Sequence, residues 1–108
     1  MSEERIASLR LQCSGPRDGA LLRFSLGSEL LSDGKTGTAI EELSRAVVFD
    51  PDYSAAWKLL GKACLDAGET EAAANAWRSG VAAALKRGDK QAEKEMGVFL
   101  RRLEKANP

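Results

Sequence analysis

One short segment, Gly34-Lys35-Thr36, has the residue types that end a phosphate-binding loop, in which backbone amides and a lysine hold nucleotide phosphates. That loop also requires a glycine five residues before its second glycine. The residue at this position is Glu29, and no predicted strand precedes the segment. We therefore predict that these residues form a turn between two helices and bind no nucleotide.

The other residues capable of chemistry form no catalytic or metal-binding pattern. The chain contains no histidine, which is the commonest general base and metal ligand. Helix starts or outer helix faces are the predicted positions of four acidic residues, Glu41, Glu42, Glu69 and Glu71. Negative side chains at a helix start interact favourably with the positive end of the helix dipole. The sequence therefore predicts a protein that is not an enzyme and that uses no cofactor and no metal.

The two cysteines, Cys13 and Cys64, are too far apart in sequence to form a C-x2-C pair. Reduced thiols in an intracellular protein are the simplest interpretation. A disulfide between them stays open as an alternative, although Cys64 is expected to point into the core. The polar, acidic start of the chain is unlike a signal peptide, so we predict a cytoplasmic location.

The composition limits the classes of partner. At 108 residues the chain suits one domain with a modest core. Its 16 basic residues balance its 16 acidic residues, which does not support long-range attraction to nucleic acid or to an anionic membrane. No apolar run in the sequence is as long as a transmembrane helix, which needs about 18 residues. Protein or peptide partners are therefore predicted, with no nucleic acid and no membrane.

The stretch from Tyr53 to Gly80 has the most informative spacing. It contains Trp57-x2-Leu60-Gly61-x2-Cys64 and then Ala73-x3-Trp77. Similar residues recur at an offset of about 34 residues, which is the period of a helical-hairpin repeat. The matching pairs are Leu26 with Leu60, Gly27 with Gly61, Leu30 with Cys64, Leu31 with Leu65, Gly34 with Gly68, Thr36 with Thr70, Ala39 with Ala73, Leu43 with Trp77 and Ala46 with Gly80.

This pattern resembles the tetratricopeptide repeat family over about residues 20–85. Pro51 falls at the repeat-ending proline, whereas Arg23 replaces the first tryptophan and Leu85 the second proline. The resemblance implies an all-α fold, a right-handed superhelix of about six helices with a capping helix at each end. A generic helical bundle is the alternative.

We predict one domain over residues 1–108, divided into an N-terminal capping helix (1–15), repeat one (20–53), repeat two (54–87) and a C-terminal capping helix (88–106). Left-handed glycines are expected to end the first helix of each repeat at Gly34 and Gly68. Thr36, Thr70 and Asp89 are predicted N-caps. Gly27 and Gly61 are predicted to pack against Ala39 and Ala73. The charged runs of the last helix, Glu93-Lys94-Glu95 and Arg101-Arg102, are predicted to face solvent.

In members of the family, the first helices of successive repeats form a concave groove that holds the partner. The resemblance places seven candidate binding residues there: Leu21, Phe24, Ser28, Leu31, Lys58, Lys62 and Leu65. Lys58 and Lys62 share a helix face, and Trp57 is predicted to point into the core. An ordinary solvated lysine pair is an equally good interpretation. The lysine and asparagine clamp of chaperone-binding members is incomplete, because repeat one has Phe24 and Ser28 at the matching positions.

The predicted function is therefore non-enzymatic protein binding, as an adaptor or assembly module. Apolar groups of a partner segment would lie on Phe24, Leu31 and Leu65, and acidic groups would meet the two lysines. The alternative is a structural module that self-associates through an exposed end of the stack, for example as a homodimer, with no external ligand in the groove.

Overall fold

A computed structural model describes residues 2–106, so Met1 and residues 107 and 108 of the predicted domain lie outside it. Within the described part there are six helices and no strand. Each helix packs mainly on the helix next to it in the chain, and α2 and α6 also contact α4. The helices are α1 (Ser2–Gln12), α2 (Ala20–Ser32), α3 (Thr36–Phe49), α4 (Ser54–Asp66), α5 (Thr70–Arg87) and α6 (Lys90–Ala106).

The turns after α2 and α4 have the same construction, as the repeat predicts. Gly34 has φ 77° and Gly68 has φ 80°, a left-handed conformation that costs glycine little. The Lys35 amide donates to the Leu30 carbonyl at 2.9 Å, and the Glu69 amide donates to the Cys64 carbonyl at 2.8 Å. These bonds satisfy carbonyls that a helix end otherwise leaves unpaired.

The predicted helix starts are partly wrong. Thr36 and Thr70 are not N-caps, because α3 and α5 already begin at these residues and neither helix has a side-chain cap. Asp89 is confirmed as a cap of α6, since its Oδ1 accepts from the Ala92 amide at 3.1 Å. Its other carboxylate oxygen accepts from the Ser54 hydroxyl at 3.2 Å, which ties the start of α6 to the start of α4.

The core consists of two clusters of buried side chains. The larger comes from α3, α4, α5 and α6, with Leu43, Trp77 and Met96 among its largest members, and the smaller contains Ile6, Leu26, Leu30 and Ala39 from α1, α2 and α3. Cys64 is buried in the larger cluster as a free thiol, and Cys13 is also free. The core tryptophan is Trp77, with 3% of its surface exposed. Trp57 was predicted to point into the core, but it is only half-buried and packs against the larger core cluster. Its indole Nε1 donates to the Pro51 carbonyl at 2.7 Å.

The two helix-contact glycines make room for large side chains. A Cβ on Gly61 would overlap the Trp77 indole, and one on Gly27 would overlap the Leu43 side chain. The residue nearest to a Cβ on Gly61 is therefore Trp77, one helical turn after the predicted neighbour Ala73. Gly27 does lie near the Ala39 carbonyl, but Leu43 is closer.

Arg23, which replaces a tryptophan of the repeat pattern, is the centre of a largely buried ion-pair network. Its Nε lies 2.8 Å from Asp18 Oδ1, and its Nη1 lies 2.7 Å from Glu42 Oε1. Arg45 contributes a second cation at 2.7 Å from Glu42 Oε2. Glu42 is therefore not on an outer face as predicted, but only 4% exposed. The network joins α2 and α3 to the segment that precedes them.

The ion-pair network makes the stability of the fold depend on pH. The Arg23 guanidinium, helped by the Ser14 amide, lowers the pKa of Asp18 from 3.8 to about 2. Because the folded pKa is the lower one, ionised Asp18 stabilises the fold above about pH 4, and this contribution disappears as the pH falls towards 2. We expect Asp18→Asn to lower the melting temperature at pH 7, with the gap from the parent closing between pH 4 and pH 2.

Thermal melts followed by circular dichroism between pH 2 and pH 7 measure this gap, and Asp66→Asn, on an exposed residue, controls for the loss of one charge. A gap of constant size across this pH range would show that Asp18 does not contribute through its ionised form.

Candidate functional site

A cleft of about 770 Å³ lies between α2, α4 and α6, with one residue from α5. Its lining combines apolar side chains with a few charged ones, the composition that is typical of binding sites. The lining residues are Phe24, Ser28, Ala55, Lys58, Leu59, Lys62, Leu65, Asp66, Trp77, Glu95, Phe99, Arg102 and Leu103.

Five of the seven predicted groove residues lie in the cleft: Phe24, Ser28, Lys58, Lys62 and Leu65. The other two lie elsewhere. Leu21 is 69% exposed and borders a separate depression of about 390 Å³ with Ala20, Asp50, Tyr53 and Arg87. Leu31 packs against the core clusters rather than lining the cleft.

One side of the cleft is formed by α6, which the sequence predicted only as a capping helix. Glu95, Phe99, Arg102 and Leu103 all line it. Glu95 and Arg102 therefore line the cleft rather than the outer side of α6, although Arg102 is exposed to solvent as predicted. Their spacing of i, i+4, i+7 and i+8 places these four residues on one helix face, and this periodicity was the signal available in the sequence.

The aromatic side chains of the cleft are held in place by neighbours. The Trp77 indole Nε1 donates to the Lys58 carbonyl at 3.0 Å, and the Phe99 ring lies 5.0 Å from the Trp77 ring. On the opposite side, the Phe24 and Tyr53 rings are 5.1 Å apart. Such ring pairs add to the stabilisation from burial, so the apolar surface is formed before any ligand arrives.

The cleft has three basic and two acidic residues in its lining. Lys58 Nζ lies 3.1 Å from Glu95 Oε1, and this ion pair joins α4 to α6. Among residues 2–106, neither Lys62 nor Arg102 forms an ion pair. Leu65 is 40% exposed beside them. The cleft therefore presents an apolar surface and two cations that are free to bind an acidic group.

The cleft offers little for catalysis. Its lining contains neither histidine nor cysteine, and the part of the chain that the structure covers has no cluster of three or more potential metal-ligating side chains. Burial raises the pKa of the Cys64 thiol, which opposes formation of the nucleophilic thiolate. None of the helices described here is both long enough and apolar enough to cross a membrane.

Comparison with known proteins identifies relatives of similar sequence and similar structure. A curated TPR repeat-containing protein of Pseudomonas aeruginosa is 56% identical over 89 residues, which cover 82% of this chain and 85% of the relative. The solution structure of a Bordetella parapertussis protein is 43% identical with a TM-score of 0.79, and covers 96% of this chain and 88% of that one.

The crystal structure of MamA is more distant, at 21% identity with a TM-score of 0.70, covering 96% of this chain and 67% of that one. At this identity the similarity concerns the fold alone. No protein-family model matches the sequence. The structural neighbours confirm the predicted all-α helical-repeat fold.

Proposed function

Because this chain belongs to the tetratricopeptide repeat family, we propose that it is a non-enzymatic adaptor or assembly module that binds a segment of a partner protein in the cleft. The family as a whole suggests protein–protein interaction. The observation that favours the cleft as the binding surface is its combination of an exposed Leu65, half-buried aromatic and aliphatic neighbours, and two cations without an ion-pair partner. The module would act in the cytoplasm.

Charge complementarity decides the kind of occupant that we propose. The whole chain has no net charge, but the cleft lining has one more basic than acidic residue. A partner segment with apolar side chains and an acidic group would match both parts of this surface. The apolar contacts would supply most of the binding free energy, since each fully buried large side chain contributes about 1.5–3 kcal/mol.

Two exposed leucines provide a matched test. Leu65 lines the cleft, whereas Leu85, 60% exposed on α5, does not. We expect Leu65→Glu to reduce capture of partner proteins from a native cell extract by about tenfold or more, because it places a charge on the apolar contact surface and repels an acidic segment. Leu85→Glu is expected to leave capture unchanged. Quantitative mass spectrometry of the captured proteins measures the difference.

The free energy of unfolding of both variants is expected to stay within about 0.5 kcal/mol of the parent's value, as is usual for substitutions on the surface. Equal capture by folded Leu65→Glu and Leu85→Glu would contradict binding in the cleft. Sedimentation at several protein concentrations tests the self-associating alternative: a homodimer that Leu65→Glu dissociates would make a second copy of this chain the occupant of the cleft.

A further inference from the structure

We propose that Glu95 blocks Lys58, so that the acidic group of a partner binds at Lys62 and Arg102 near the other end of the cleft. This inference rests on the proposed function and assigns a selectivity role to Glu95. Two observations support it: the 3.1 Å ion pair between Lys58 and Glu95, and the lack of an ion-pair partner for Lys62 and Arg102 among the residues described.

The order of these residues along the helices separates the two cationic positions. Short turns reverse the chain after α4 and again after α5, so α4 and α6 run in the same direction. Lys62 is one turn beyond Lys58, or about 6 Å along α4. Arg102 is two turns beyond Glu95, or about 10 Å along α6. Both unpaired cations therefore lie on the same side of the ion pair, towards the ends of their helices.

An acidic group gains little at Lys58 itself. To bind there it would have to displace Glu95 and exchange one solvent-accessible ion pair for another, a replacement with almost no net gain. At Lys62 and Arg102 it would form new pairs. Asp66 lines the same end of the cleft but pairs with neither cation within 4.0 Å in the described chain. Both cations thus stay available, and the Asp66 charge disfavours a highly acidic segment.

The test begins with peptides that the protein itself selects. Random twelve-residue peptides displayed on phage are selected against the full-length protein, and the recovered peptides are synthesised with a fluorescent label. Affinity is measured by fluorescence anisotropy for each peptide and for a version with its Asp and Glu replaced by Asn and Gln. We expect the selected peptides to contain an acidic residue, and neutralisation of that residue to weaken binding.

The variants then locate the acidic contact. Lys62→Gln and Arg102→Gln are each expected to weaken binding by about fivefold, the upper end for a solvent-screened ion pair. Glu95→Gln frees Lys58 and is expected to tighten binding by a similar factor. Removal of the whole pair, with Lys58→Gln and Glu95→Gln together, is expected to change affinity by less than twofold. Lys94→Gln, a charge loss on the exposed side of α6, is the matched control.

Three kinds of result would overturn the inference, and they differ in what else they affect. If pair removal weakens binding as much as Lys62→Gln, Lys58 contacts the acidic group and the role of Glu95 is lost. If Lys62→Gln and Arg102→Gln are without effect, the acidic group does not bind at these cations and the inference as a whole is lost. The proposed function stands in both cases. If no peptide is selected, or if selected peptides bind Leu65→Glu as well as the parent, the proposed function itself is wrong.

Discussion

Replacing Trp77 with alanine is expected to destabilise the protein by about 3–5 kcal/mol. Trp77 is 3% exposed, covers Gly61, contacts the Phe99 ring and donates its indole N–H to α4. No single helix can move into the resulting cavity, since the ring contacts α4 and α6 at once. The loss is a large fraction of the about 5–15 kcal/mol by which native domains are stable.

The second tryptophan is the matched control for this prediction. Trp57 is half-buried, so Trp57→Ala is expected to cost less, about 1–3 kcal/mol. Urea denaturation followed by far-UV circular dichroism measures both variants without relying on tryptophan fluorescence. A larger cost for Trp57→Ala than for Trp77→Ala would contradict the assignment of Trp77 to the core.

Ending the chain at Arg87 is expected to abolish cooperative unfolding. The deletion removes α6, whose Met96 is fully buried and whose Phe99, Leu100 and Leu103 pack against the core. Loss of these contacts uncovers Trp77 and removes several kcal/mol of apolar burial, at about 1.5–3 kcal/mol for each fully buried side chain. The remaining repeats are then expected to aggregate or to melt without a transition, as uncapped repeats do.

Thermal melts and light scattering of the shortened protein measure this effect. Lys94→Ala, which leaves α6 in place and changes only its exposed side, is the control and is expected to match the parent. A shortened protein that stays monomeric and melts at the parent's midpoint would show that α6 is dispensable for the fold.

The fold was predictable because its determinants are local and repeated. Gly34 and Gly68 end helices through a backbone conformation that few other residues adopt, and Pro51 lies between α3 and α4. Conversely, the burial of Glu42 was not predictable, because it depends on Arg23, 19 residues away in sequence. A charged residue on a predicted helix is normally exposed, and only its partner explains the exception.

The cleft was predictable in part. The resemblance to the tetratricopeptide repeat family implied Phe24, Ser28, Lys58, Lys62 and Leu65, because the first helices of successive repeats line the groove in that family, and all five lie in the cleft. The residues that α6 contributes to the cleft could not be predicted in this way, because the pairing of Lys58 with Glu95 spans 37 residues. It depends on how α6 packs on α5, beyond the point where the repeat pattern ends.

The most direct test of the central proposal is where a bound peptide perturbs the protein. Amide chemical shifts of the ¹⁵N-labelled full-length protein are recorded during titration with a peptide that it has selected. We predict that the largest changes map to the cleft, around Ser28, Lys62, Leu65 and Phe99. Changes concentrated instead on the exposed side of α3, around Val48 and Phe49, would contradict binding in the cleft.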